Sequence, residues 1–288
     1  MILELLKKYP YARWDWYELS KNPNIPLWFI EENPQLRWDW AGVSANPNVT
    51  MDDVERLWDK VWNIYAIEYH PNLTFDFVRN HPEWKWWMGI PAHKCITLEI
   101  IEKYFDFFIS KPSLSLNPNL TMEFINSKPV EIWHWDYISR NEGITMDDIK
   151  ANPDKPWSWP DVSKNPNLTL DILLRNMDKN WDFREISKNK AFCLDMVNCF
   201  PDEGWDWSYI STHPNVSWDD ILAHAFMPWQ WDVMSKNPNI TLEIIQANPN
   251  RPWSFYHLSL NPNLTMEFID KWHERLRFKL LSSNRFSR

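Results

Sequence analysis

The sequence predicts an all-α fold: a solenoid of about twelve 24-residue repeats, each built from two short helices. Three observations carry that expectation. Trp14, Trp38, Trp62, Trp133, Trp157, Trp181, Trp205, Trp229 and Trp253 share one phase of a 24-residue period, and twelve such periods span the 288 residues. Asn-Pro pairs punctuate the period, and hydroxyl or acidic residues suited to helix N-caps recur at fixed offsets from the Trp. A fixed period in this range marks an array of small units, none able to bury its apolar face alone.

With the recurring Trp as position 0, the unit reads W-x-W-x-x-φ-S-x-N-P-N-φ-T-x-E/D-x-φ, followed by seven looser residues. One residue is lost after Trp62, so the anchors continue at Lys85 and Ile109 before Trp133; another is lost near the end, where Leu276 takes the anchor. Both losses fall in the looser part, where connections tolerate them.

The first helix of each unit is expected just after position +1, which holds Asp15, Asp39, Asn63, Ser110, Ser158, Asp182, Asp206 and Ser254 as N-caps. Pro160 is compatible with a first turn, whose amides need no intrahelical partner. Apolar residues at +2 and +5, such as Trp16 with Leu19 and Trp159 with Val162, fall on one face. The Asn-Pro that follows ends the helix, because the residue before proline is pushed out of the helical region. One or two turns is short enough for 3₁₀ geometry.

The second helix begins after +12, which holds Thr50, Thr74, Thr97, Thr121, Thr145, Thr169, Ser217, Thr241 and Thr265, with an acid at +14 in nearly every unit. A hydroxyl cap and a first-turn acid satisfy free amides and complement the helix dipole. Pairs such as Met51 with Val54 and Leu242 with Ile245 form its buried stripe.

Position +8 is Asn or His in all twelve units: Asn22, Asn46, His70, His93, Asn117, Asn141, Asn165, Asn189, His213, Asn237, Asn261 and Asn284. Both residue types offer a donor and an acceptor on a short planar group. They are expected to bond turn backbone and to bridge adjacent units as a ladder, which makes the three His structural rather than catalytic.

Composition fits this reading. Gly is scarce at 4, while Pro and Trp each number 22. A two-helix unit has little area to bury, and aromatic rings supply roughly 150–250 Å² each. Core packing is therefore the expected role of the two regular Trp positions, with stacking on bases or sugars as the alternative. The whole of 1–288 is expected as one domain, with 1–13 an N-terminal half repeat or cap and 270–288 a C-terminal basic cap. Glu4, Lys7 and Lys8 interrupt any signal-like core, and no apolar run is long enough for a transmembrane helix. Cys95, Cys193 and Cys199 are too few and too irregular for a disulfide scaffold or zinc site, so reduced cysteines and an intracellular setting are expected. The net charge of −9 argues against nucleic acid as main partner. From Lys271 to Arg288, however, six Lys/Arg accompany one acid, and this tail could pair with the acidic body of another copy.

The unit N-P-N-φ-T-x-E-x-φ, seen for example over Ser163 to Leu173 and Ser235 to Ile245, resembles leucine-rich variant repeats. The resemblance covers nearly the whole chain and implies alternating α- and 3₁₀-helices stacked in a right-handed superhelix. Trp stands where small aliphatic residues are usual, and no N-terminal cysteine cluster is present. The resemblance therefore carries no iron–sulfur or redox expectation. The Trp-rich wording is also similar to repeat proteins encoded by large DNA viruses, which would imply host cytoplasm or virion as the setting.

No phosphate-binding glycine loop, metalloprotease helix or nucleophile elbow occurs. Candidate chemical groups recur at repeat positions, as capping residues do, so no enzyme activity, catalytic residue, cofactor or metal is expected. Repeat arrays work through extended surfaces that bind macromolecules. The function expected is a protein–protein interaction scaffold with an unidentified protein partner. The alternatives are a self-assembling structural or virion-associated protein, and a single-strand nucleic-acid or glycan binder using exposed Trp. The candidate surface comprises Lys21, Lys164, Lys188 and Lys236 at +7, with Tyr69 and the irregular aromatic residues Trp58, Trp84 and Trp86; Trp87 lies in the same stretch. A solvated ridge is the plain alternative for the lysines.

Overall fold

In a computed structural model of the chain, residues 1–84, 86, 89–110 and 112–286 are described. The anchor Lys85 and the aromatic Trp87 lie outside the described residues. All regular structure among them is helical, with no strand. Leading helices, of six residues at Trp16–Lys21 and four at Trp40–Val43, Trp159–Val162 and Phe255–Leu258, alternate with six-residue trailing helices such as Leu27–Glu32, Met51–Arg56, Met146–Ala151 and Leu242–Ala247. The opening helix Ile2–Lys8 occupies the trailing position of a half unit. In the irregular stretch the leading helix shrinks to 3₁₀ turns at Ile90–Ala92 and Pro112–Leu116.

Caps explain where these helices begin. Thr50, Thr97, Thr121, Thr145, Thr169, Ser217, Thr241 and Thr265 each accept a hydrogen bond from the third helical amide. Reciprocal capping boxes form at Thr50–Asp53, Thr145–Asp148 and Ser217–Asp220. Their acids stand one residue beyond the +14 acids singled out in the sequence. Among the leading helices, Asp15, Asp39, Asn63, Asp182, Asp206 and Ser254 cap as expected. Two candidates do not. Pro160 removes an amide that Ser158 would have capped, and the Ser158 hydroxyl donates instead to Asp161 at 2.6 Å. Ser110 follows the extra helix Phe105–Phe108, and its hydroxyl donates back to the Phe107 carbonyl.

The chain divides into two compact units, one formed by Met1–Phe77 with Ser211–Arg288, the other by Val78–Ile210. Inside each, two side-chain ladders tie one repeat to the next. All twelve +8 residues are buried. Each accepts from the amide two residues on, through Oδ1 in Asn165 (2.9 Å from Asn167 N) and through Nδ1 in His70 (3.1 Å from Asn72 N). The Asn165 amide nitrogen donates to Ser139, Asn141 and Ile144 carbonyls of the preceding repeat, each at 3.0 Å. Asn46, Asn117 and Asn261 repeat the pattern. The inferred ladder is therefore present, and its cause is the backbone it satisfies.

A second ladder runs through the serine at +6, to which the sequence assigns no role. Ser20, Ser44, Ser139, Ser163 and Ser235 accept from the amide that opens the next leading helix, at 2.9 Å in each case. Each also donates to its own carbonyl four residues back. One buried hydroxyl thus serves two backbone groups.

In the first unit the terminal segments join by the same bonds. Asn22 donates to the Ser282 and Asn284 carbonyls at 2.8 and 3.0 Å, and the Asp15 amide donates to Ser282 Oγ at 2.9 Å. Asn24 donates to the Arg285 carbonyl, Trp14 meets Phe278 edge-on, and Tyr9 donates to Asp270 at 2.7 Å. Residues read from sequence as two separate caps are thus packed on each other. Burial and the bond to Asp270 push the Tyr9 hydroxyl up to about 12.

Candidate interaction surface

The two regular Trp positions have different fates. Position 0 is mostly core: Trp14, Trp133, Trp157, Trp181, Trp205 and Trp229 are buried, while Trp38, Trp62 and Trp253 are half-buried. Its indole N–H donates to a carbonyl at the end of the preceding helix, as from Trp157 to Asn152 and Trp253 to Asn248, both at 2.8 Å. This explains Trp rather than Phe: the indole N–H adds a second donor to a helix-end carbonyl that otherwise accepts only a turn amide, Lys155 N on Asn152 and Arg251 N on Asn248.

Position +2 departs from the core expectation. Trp16, Trp40, Trp135, Trp159, Trp207 and Trp231 are only half-buried. One edge packs against the next position-0 ring, as Trp40 on Trp62 (5.1 Å, 85°) and Trp135 on Trp157 (5.1 Å, 87°). The outward part is covered by a cation from the looser end of the repeat: Lys60 over Trp40, Lys155 over Trp135, Lys179 over Trp159, Arg251 over Trp231 and Arg275 over Phe255, at 3.8–5.9 Å. Cations over ring faces contribute about 0.5–1 kcal/mol at exposed sites. These cations sit where the repeat looks least constrained, which is why the sequence reading missed them.

The candidate residues fall in both units. Trp58 and Tyr69, 46% and 65% exposed, belong to the first. Lys21 there lies 5.7 Å from the Tyr17 ring, and Lys236 is half-buried. Trp84 and Trp86 belong to the second; both are half-buried, with rings 5.3 Å apart, and Trp86 donates to the Val78 carbonyl. In the same unit Lys164 and Lys188 extend a column begun by Arg140. Lys164 pairs with Asp161 at 2.9 Å, while Lys188 pairs with Glu185 at 2.8 Å and lies over Tyr209. Burial works to raise the Asp161 carboxyl, but hydrogen bonds from Ser158 and Lys164 outweigh it and hold the group below its ordinary range. The bond to Glu185 raises Lys188. These lysines are ion-paired ridges, not a bare positive stripe.

Two grooves repeat each other at equivalent positions. One, about 370 Å³, is lined by Ile30, Glu31, Pro34, Trp38, Trp40 and Lys60, among others. The second, also about 370 Å³, has Ile149, Lys150, Pro153, Trp157, Trp159 and Lys179 at the corresponding places. In each, a proline ring and two indoles form the floor and a lysine the rim.

His70 is held neutral-side by burial, and Cys95 is pushed up to about 11 by burial, away from thiolate chemistry. Among the described residues no group of His, Cys, Asp or Glu is placed to hold a metal ion. No described helix is long and apolar enough to cross a membrane. No family model, curated protein or solved structure matches the chain.

Proposed function

We propose that the chain is a non-enzymatic, twelve-repeat solenoid of the leucine-rich variant kind that binds another protein across its repeat-variable surface. The observation that carries this reading is the division of labour along the repeat. Asn, His, Ser and position-0 Trp are consumed by internal bonds, whereas tyrosines at variable positions are left outside. Tyr17, Tyr65, Tyr69, Tyr209 and Tyr256 are 39–69% exposed, and Tyr supplies large, stiff contact area at interfaces. The mated terminal segments favour this reading over head-to-tail growth, because the bonding edges a second copy would need are already used.

Affinity capture with cross-linking from the native cell tests the proposal. Wild type is expected to retain a specific protein that the Tyr65→Ser, Tyr69→Ser double variant loses. Retention of the same protein by both chains would put the contact elsewhere, and recovery of nothing but chaperones would end the scaffold reading.

A further inference from the structure

The two matching grooves differ in one respect that points to a ligand. In the first, Glu31 reaches from one repeat to Arg56 of the next, with Arg56 Nη1 to Glu31 Oε1 at 2.6 Å and Nη2 to Oε2 at 3.1 Å. This two-pronged pair supplies a carboxylate at the groove wall. The second groove keeps the arginine, Arg175, but places Lys150 where Glu31 stands and Lys155 where Leu36 stands. Arg175 turns instead to Asp171 on its own helix, at 2.7 Å. Four cations (Lys150, Lys155, Arg175 and Lys179) then line one cleft with no carboxylate among its lining residues. Asp147, Asp171 and Asp178, which pair with three of them, are 54–92% exposed and stand outside that lining.

We infer that this groove between the 149–155 and 172–179 segments takes an acidic peptide segment of a protein partner. A ligand carboxylate would bridge Lys150 and Arg175 where the sister groove uses its own Glu31, and a neighbouring apolar side chain would rest on Trp157 and Trp159. The charge contrast supports the choice of occupant. The chain as a whole carries −9, so a locally cationic, indole-floored cleft selects an acidic segment against the general repulsion. The inference rests on the protein-binding reading above and gives it a partner chemistry.

The test is fluorescence anisotropy on the full chain with a fluorescein-labelled octapeptide of alternating glutamate and leucine. Wild type is expected to bind it saturably, more weakly as salt rises. Lys150→Glu, which restores the Glu31-like bridge to Arg175, is expected to bind at least tenfold more weakly. Lys150 is half-exposed, and an unchanged melting curve verifies that the variant folds. Lys7→Glu, the same charge change at an exposed helix residue of the first unit that does not line the groove, is expected to bind like wild type. Equal binding by wild type and Lys150→Glu, or an equal loss in both variants, overturns the site. Tighter binding of a labelled oligouridine than of the peptide overturns the choice of ligand. The capture experiment separates the two levels. A partner retained equally by wild type and Lys150→Glu removes the groove and leaves the scaffold reading, whereas no partner from either removes the scaffold reading itself.

Discussion

At the scale of the residue, the fold depends on side chains that substitute for backbone. Asn165 engages four backbone groups: its Oδ1 accepts from its own turn, and its two amide N–H groups are shared among three carbonyls of the preceding repeat. Asn165→Ala takes away the acceptor of the Asn167 amide and the side-chain donor to the Ser139 carbonyl, while the Asn141 and Ile144 carbonyls keep the Ile144 amide and the Asn167 side chain; it should cost on the order of 1–3 kcal/mol, read as a lower urea midpoint at unchanged slope. An unaltered midpoint would mean the ladder contributes nothing net. His70 performs the same task with a ring, and its geometry fixes the tautomer: Nδ1 accepts from the Asn72 amide, so the proton lies on Nε2, facing the Asn46 carbonyl at 2.9 Å. A second proton would have to enter on Nδ1, against an N–H. Burial accordingly holds His70 below its ordinary 6.5. The unfolded chain takes up that proton first, so the stability associated with neutral His70 is present above 6.5 and is lost as the pH falls through that value. His70→Asn, which installs the commoner residue of the column, should flatten the decline of melting temperature below pH 6.5 relative to wild type. Parallel declines for the two chains would remove His70 as a source. The Asn/His column was readable from sequence because one physical property, a planar donor–acceptor pair, was repeated twelve times. The serine ladder was equally regular, yet serine beside Asn-Pro is what any turn would carry, so its double role was hidden.

At the scale of the element, helices of four to seven residues are far below the length at which an isolated helix persists in water, about 12–15 residues. They exist because caps begin them, Asn-Pro pairs end them and neighbours cover one face. Caps and stops are local, which is why helix positions were legible from sequence. The failures at Ser110 and Ser158 come from the extra helix Phe105–Phe108 that runs up to Ser110 and from Pro160, which removes an amide that Ser158 would have capped. Spacing between helices is less legible. Leading helices Trp16–Lys21 and Trp40–Val43 approach so closely at Gly42 that an added Cβ would fall within contact distance of the Tyr17 carbonyl and 2.9 Å from Ser20 Cβ. Backbone cannot yield as a flexible side chain does. Gly42→Ala should therefore destabilise by about 1–3 kcal/mol, despite the better helix propensity of Ala. A melting temperature at or above wild type would show that the pair can separate at no cost.

At the scale of the whole molecule, the period gave the units but not the relation of the two ends. Asn22 and Ser282 are 260 residues apart, and no pattern within one repeat announces that they bond. The half-exposed indoles were misread for a related reason: their cations come from the looser quarter of the unit, where spacing alone assigns no task. If the terminal junction is equivalent to the internal ones, chain connectivity should be movable. A circular permutant that links 286 to 1 and opens at Gly204, an exposed loop residue with no atom near its Cβ position, is expected to melt within a few degrees of the parent. Removal of residues 277–286 should instead lower the melting temperature clearly, since the Asp15 amide and the Asn22 side chain lose their partners. A permutant that fails to fold while the truncation melts normally would reverse this ranking.

Linear arrays soften from their outermost repeats inward, because each terminal repeat has a neighbour on one side only. Here the Asn22 repeat is bonded on one side to Asn46 and on the other to Ser282. Deuterium uptake should therefore show no gradient rising from the Asn46 repeat back to the Asn22 repeat, nor from the Asn261 repeat on to the Asn284 segment: both are as slow to exchange as the repeats beside them.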